Sequence, residues 1–392
     1  MTLEQQADIL FNNITGWETN TLKRIGKRIK AIGKMSVADV KALNNIAIVK
    51  QDMNAITKEL AQITGLNMQE VQKMYADLLA EQHLENKPLY DYRNKPFIPL
   101  AENRELQAIV NAYARTTAEE MINLSKTSVL KMIDEHGKVL SFEKAYKNTL
   151  DKAVMQVAAG ATDFHTAMSD SIRVLGGNGI RVQYESGATR RLDSAVRQNL
   201  LWGAKQASVE YNDLIGQELN CDGIEIDWHA HPRPSHEFMQ GKQYVLGNAR
   251  TINGEYFESA DEVLERLEDY NCYHYKTPII CGISEPRYSK TQLARLNEQN
   301  KRVFKIDGKD CTGYDATQKR RKLETMIREQ KSIKAMAQES GDKGLVSECN
   351  ANINAYMEKY GKISEVTGIR EDLKRMSITK SKPSIISISE SK

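Results

Sequence analysis

Four histidines and two cysteines fall between residues 229 and 281: His229, His231, His236, His274, Cys272 and Cys281. The whole chain holds 7 His, so this is a concentration rather than a scatter. Imidazole nitrogen and thiolate sulfur are the preferred ligands of zinc, and a closed structural site takes four of them. His229, His236, Cys272 and His274 make one such set, predicted to meet where Pro232-Arg233-Pro234 folds the chain back. The single residue between Cys272 and His274 is tighter than zinc-finger spacing. The same groups also suit a hydrogen-bonded polar core, with the imidazoles and Arg233 paired to Glu225, Asp227 and backbone carbonyls. A third use is hydrolytic, with Asp227, His229 and His236 holding an ion that activates water. No metalloprotease helix motif, nucleophile elbow or phosphate-cradling glycine loop accompanies them. Cys272 beside His274 invites a thiol nucleophile, but nothing in the sequence supplies an oxyanion hole or an orienting third group. Gly176-Gly177-Asn178-Gly179 follows a helical pattern and reads as a turn. The residues therefore predict a protein that is not an enzyme, with a structural zinc as its only cofactor candidate.

The elements that must hold these residues are legible from periodicity. Ile224 to His231 alternates, which predicts a strand with Ile224, Ile226, Trp228 and Ala230 on its buried face. Glu225, Asp227, His229 and His231 then share the other face. A further short strand is predicted over 243–246 and a short helix over 259–269. Upstream, the pattern is helix after helix. Leu22, Ile25, Ile29 and Ile32 recur at helical spacing within a basic surround of Lys23, Arg24, Lys27, Arg28, Lys30 and Lys34. That surround is read as the solvated face of a core-facing helix, with a membrane-surface helix as the alternative. Residues 67–82 continue the pattern. Pro88, Pro96 and Pro99 predict an extended connection. A long helix follows through Leu106 and Met121, then helices capped by Ser141 and Asp163. Residues 180–184 read as a strand turned at Ser186-Gly187, and 190–219 as one long helix.

Composition bounds the class. Apolar residues make up 40% and charged residues 27%, as in a globular rather than a disordered chain. Lys+Arg is 55 against Asp+Glu 52, too even for a dedicated nucleic-acid binder. The bias is local instead: residues 287–334 carry 14 Lys/Arg against 6 Asp/Glu. Glu324 and Arg328 in that stretch are spaced to pair along a helix. No apolar run is long enough to cross a bilayer, and the first residues lack the basic and apolar regions of a secretory signal. The 5 Cys, widely spaced and odd in number, predict free thiols and a reducing compartment.

One set of short motifs is ordered in a specific way. Tyr184-Glu-Ser-Gly187 is followed by Arg191-Leu-Asp193, Ala195-Val-Arg197, Glu225-Ile-Asp-Trp-His229 and Arg233-Pro234-Ser-His236. Then come Gln240-Gly241, Asn271-Cys272, His274, Pro278 and Gly282-Ile-Ser284, with Asn123-Leu-Ser-Lys-Thr127 upstream. In this order they resemble the phage minor capsid protein 2 family, related to the Mu F-like minor head proteins of tailed phages, over roughly residues 1–300. The chain departs from the pattern at His231, Pro232, Met239 and Tyr273. The resemblance implies a structural virion component at or near the portal vertex, acting in head assembly and genome delivery. It also implies the portal protein and other head proteins as partners. The expected locations are the phage head and, during assembly, the bacterial host cytoplasm. A hydrolase or toxin-like effector packaged in the head is the rival reading.

The expected fold is α+β and predominantly helical. Residues 1–180 form a helical attachment region and 181–288 a mixed α/β domain carrying Arg197, Arg233, Pro234, Gln240 and Gly241 as its motif residues. Residues 289–376 form a basic helical hairpin, with weak DNA contact expected from 287–334. Residues 377–392 form a Ser-rich tail, with 6 Ser in its sixteen residues.

Overall fold

The computed structural model describes residues 3–378 except 125, 127, 128, 161, 162, 270 and 271. Ser125, Thr127, Asn271 and the tail beyond residue 378 lie outside the described residues.

The apolar spacing around Leu22 produces α1 (Leu3–Gly33), and Leu22, Ile25, Ile29 and Ile32 are all buried. After α2 (Val37–Lys41), α3 (Asn45–Glu85) runs alongside and answers the basic face of α1. Arg24 pairs with Glu59 at 2.7 Å, and Arg28 grips Asp52 with two hydrogen bonds of 2.9 and 3.0 Å. That face is thus partly a helix–helix contact. Pro88 does not open an extended stretch. It occupies the first turn of α4 (Lys87–Tyr92), where a missing N–H costs nothing. The irregular connection begins only after it and ends at α5 (Arg104–Leu124).

A hairpin of β1 (Leu130–Ile133) and β2 (Val139–Ser141), not predicted from periodicity, runs straight into α6 (Phe142–Ala158). Ser141 caps that helix through the Lys144 N–H, and Asp163 caps α7 (Phe164–Asn178) through the Thr166 N–H. The same device recurs as β3 (Arg181–Gln183), β4 (Thr189–Arg191) and α8 (Leu192–Glu218), turned at Gly187 with φ +81°. The two hairpins join in one antiparallel sheet of order β2-β1-β3-β4, with Leu130 opposite Val182. Gly176 and Gly177 lie inside the last turns of α7, not in a turn.

The mixed segment comprises β5 (Gly223–Ile226), β6 (Gln243–Val245), β7 (Arg250–Ile252), β8 (Glu255–Phe257), α9 (Asp261–Leu267) and β9 (Lys276–Ile279). Its sheet is antiparallel in order β6-β5-β9, beside the β7–β8 hairpin. It has its own small cores, one around Ile226, Met239, Tyr244 and Cys272 and another around Val245, Phe257, Ile279 and Cys281.

Residues 289–376 are more than a helical hairpin. They begin with α10 (Lys290–Asn300) and a third hairpin-into-helix unit: β10 (Val303–Ile306), β11 (Lys309–Thr312) and α11 (Gly313–Ser340). Thr312 and Asp315 form a capping box at the start of α11. Gly341, at φ +92°, turns the chain into α12 (Lys343–Thr367). The basic character of α11 is partly internal. Arg320 and Arg328 are buried, and the close partners of Glu324 are groups other than Arg328. Glu324 accepts from the Tyr360 hydroxyl and faces Arg375, while Arg328 faces Asp193. The main apolar core joins α1, α3, α5, α6, α7 and α8 with Ile333, Met336, Leu345 and Cys349 of the C-terminal pair. The fold is predominantly helical α+β.

Candidate functional site

The strand expected to run to His231 stops at Ile226. All four residues of β5 are buried, so it has no polar face. Glu225 is buried, accepting the Arg287 N–H at 2.7 Å, and burial pushes its carboxyl pKa up. The ladder frays at Asp227: its N–H still donates to the Tyr275 carbonyl at 3.2 Å, but its Oδ1, not its carbonyl, takes the Tyr275 N–H at 2.8 Å, and its Oδ2 meets His229 Nε2 at 2.8 Å. Ala230 is exposed rather than on an inner face. His231 adopts φ +55°, and its ring lies where a Cβ on Gly313 would come within 2.0 Å. It therefore packs against the start of α11 and is not among the gathered ligand atoms, although it lines the same cleft as the other histidines.

A 3-10 turn, Pro234–His236, does what the proline spacing implied and brings His236 back inside. There His236 Nε2 meets Asp269 Oδ2 at 3.1 Å, and Arg233 Nη1 lies 3.9 Å from the same carboxylate. Gln240 is completely buried and ties the segment together. Its Oε1 accepts the His229 backbone N–H at 3.0 Å and faces His274 Nε2 at 3.2 Å. Gly241 has φ +70°, a left-handed conformation that L side chains rarely adopt, which is why glycine stands there. Cys272 and His274 lie on irregular backbone, yet Sγ and Nδ1 approach to 3.7 Å.

Three of the four expected ligands converge. Ligand atoms of His236, Cys272 and His274 all lie within 4.8 Å of one another, and all three residues are buried. His229 stands beside them, its ring centroid 4.5 Å from that of His274, but Asp227 holds it. The hydrolytic set of Asp227, His229 and His236 does not assemble as one group, because each imidazole meets a different carboxylate. Cys281 belongs to the neighbouring apolar core, where burial pushes its thiol up to about 12. Burial opposes a charge on His229, but Asp227 outweighs it and raises the imidazole pKa. Burial lowers His236 despite Asp269. Burial, then the neighbouring His229, drives His274 down to about 3, so its ring is neutral at physiological pH.

The histidines line one end of a cleft of about 580 Å³ whose other walls come from α1, α8 and α11, with Glu4 and Glu324 among them. Arg197, Arg233, Arg321 and Arg375 line it, with Tyr273 and Tyr314. Arg197 is oriented by Asp8 of α1 at 2.8 Å. Two contributors are not among the residues the sequence singles out. Asp269 lies in no motif. Lys205 is 1% exposed on the inner face of α8, and its ammonium donates to the carbonyls of Cys272, at 2.8 Å, and Leu267. A lysine among Leu201, Ala204 and Ser208 on a buried helix face is the signal that would have found it.

The family model described as "Phage minor capsid protein 2" matches residues 2–362. No curated protein and no solved structure matches the chain.

Proposed function

Since the chain belongs to the phage minor capsid protein 2 family, we propose that it is incorporated at or near the portal vertex, serving head assembly and genome delivery. Membership makes it a structural phage protein of the virion, associated with other head proteins. The portal protein as the direct neighbour, docking through residues 1–180, belongs to the proposal, as does assembly in the host cytoplasm. The observation that carries it is the match over nearly the whole chain, helical region included. Among the described residues no helix is long and apolar enough to cross a membrane. The rival of a packaged hydrolase is weaker, because the ligand atoms that gather among the described residues are those of His236, Cys272 and His274, not the set of Asp227, His229 and His236.

Co-expression with the portal protein, affinity purification and cross-link mass spectrometry test the docking. Recovery of the portal with cross-links concentrated in residues 1–180 is expected. A complex that fails to form, or cross-links confined to 289–376, overturns it.

Weak binding to packaged DNA is the second part. The β10–β11 hairpin favours it, because Arg302, Lys305 and Lys309 are exposed there while Arg320 and Arg328 are consumed internally. The full chain should bind duplex DNA at low salt, with affinity falling as salt rises. Changing Arg302, Lys305 and Lys309 to Gln should flatten the logarithmic salt slope by about 0.9 for each phosphate no longer neutralised. No binding at low salt, or an unchanged slope, counts against the hairpin.

A further inference from the structure

We infer that His236, Cys272 and His274 bind one zinc ion whose fourth coordination position opens onto the arginine-lined cleft, where a phosphoryl oxygen is the ligand selected. This goes beyond the head-protein reading, and a metal-free chain would leave that reading standing.

The assignment rests first on which ring nitrogens are available. A backbone N–H can only donate, so the His229 N–H fixes the Gln240 side-chain oxygen as an acceptor. The same oxygen faces His274 Nε2, which must then carry the proton. That leaves a lone pair on His274 Nδ1, the atom 3.7 Å from Cys272 Sγ. Bonds of about 2.3 Å to sulfur and about 2.0 Å to nitrogen, at a tetrahedral angle, place S and N about 3.5 Å apart. The pair is therefore spaced to share an ion with little movement. Asp269 does for His236 what Gln240 does for His274, occupying Nε2 with an oxygen acceptor. Ring nitrogens held in this way by carbonyl or carboxylate oxygens are the usual support of metal-binding imidazoles. Zinc binding would displace the Cys272 thiol proton to solvent, and Lys205 anchors the backbone on which that sulfur sits.

The fourth position follows from what is missing. His229 stands beside the group, its ring 4.5 Å from that of His274, but the ligand atoms that gather within 4.8 Å of one another belong to His236, Cys272 and His274 alone. A site with three protein ligands keeps its last position for an exogenous group. His229, His236 and His274 all line the cleft that also presents Arg197, Arg233 and Arg321. Guanidinium forks match phosphoryl oxygens in geometry as well as charge.

The test uses the full-length protein, stripped with chelator and reloaded with zinc or cobalt(II). One metal per chain is expected, with a thiolate-to-cobalt charge-transfer band. Cys272→Ser should abolish that band, and His274→Ala should abolish stoichiometric binding. Asp269→Asn, acting through His236, should weaken zinc by about 10- to 100-fold. His229→Ala should retain the metal. Inorganic phosphate should shift the cobalt ligand-field bands, and Arg233→Gln should weaken that response. Absence of stoichiometric metal in the folded wild-type chain, by circular dichroism, overturns the site. Loss of metal in His229→Ala, or cobalt bands indifferent to phosphate, overturns the open position.

Discussion

Replacing Asp193 with alanine is expected to destabilise the protein by about 3–5 kcal/mol, the cost of removing one partner from a buried charge group. Asp193 is completely buried at the start of α8. Arg191 approaches it at 3.8 Å, Arg328 of α11 at 3.7 Å, and Glu18 of α1 lies across Arg191 at 3.1 Å. Two anions and two cations thus form a neutral quartet that ties three helices together. Burial works against the charge on Asp193, but Arg191, Arg328 and the Ser194 hydroxyl and N–H outweigh it and lower its carboxyl pKa. Burial leads for Glu18 and raises it, and Arg191 keeps Glu18 Oε1 engaged together with the Ile180 N–H at 2.7 Å. Without Asp193 the group carries an uncompensated positive charge, with Arg328 still stacked 5.0 Å over Phe11. The double variant Asp193→Leu with Arg328→Met should recover much of the loss, because an apolar replacement removes the desolvation cost from both sides. Denaturant midpoints measure this. A single-variant loss under about 1 kcal/mol, or a double variant as unstable as the sum of the singles, contradicts it.

Gly176→Ala should cost about 1–3 kcal/mol, while Gly177→Ala next to it should be neutral or stabilising by up to about 1 kcal/mol. A Cβ on Gly176 would lie 2.8 Å from the Ile333 Cα, which is backbone and cannot swing aside. At Gly177 the nearest atom is the end of the same isoleucine, at 3.6 Å, an ordinary van der Waals distance. The pair therefore isolates one variable, the closeness of α7 to α11. α1 approaches α11 in the same manner, since a Cβ on Gly26 would meet the Met336 carbonyl at 2.6 Å. Thermal denaturation of both variants is the measurement. Equal effects would show that helix propensity rather than close packing governs these positions.

Where one physical signal dominates, the residues are readable in advance. The buried stripe of α1, the caps Ser141 and Asp163, the length of α8 and the return of His236 on a proline turn all follow from local periodicity or capping chemistry. Short hairpins are unevenly readable: residues 180–184 alternate and turn at Ser186-Gly187 as β3–β4 does, whereas β1–β2 shows no such alternation over strands of three or four residues. The ordered motifs also place the chain in its family, and the concentration of His and Cys marks the right segment.

What only the tertiary structure decided concerns partners far apart in sequence. Alternation predicts a strand to His231, but the hydrogen bond from the Tyr275 N–H to the Asp227 side chain ends it at Ile226. Four ligands are equivalent in sequence, but packing gathers only His236, Cys272 and His274, with His229 beside them on Asp227. Gly176 reads as a turn because a glycine's local freedom is visible in sequence, whereas the helix pressed against it is not. The basic bias of 287–334 looks uniform, yet Arg328 points inward because Asp193, 135 positions earlier, needs a counter-charge. Local propensity acts within a turn or two of chain and is written there. Burial, charge pairing and close approach depend on which distant residues meet, and only the packed molecule brings them together.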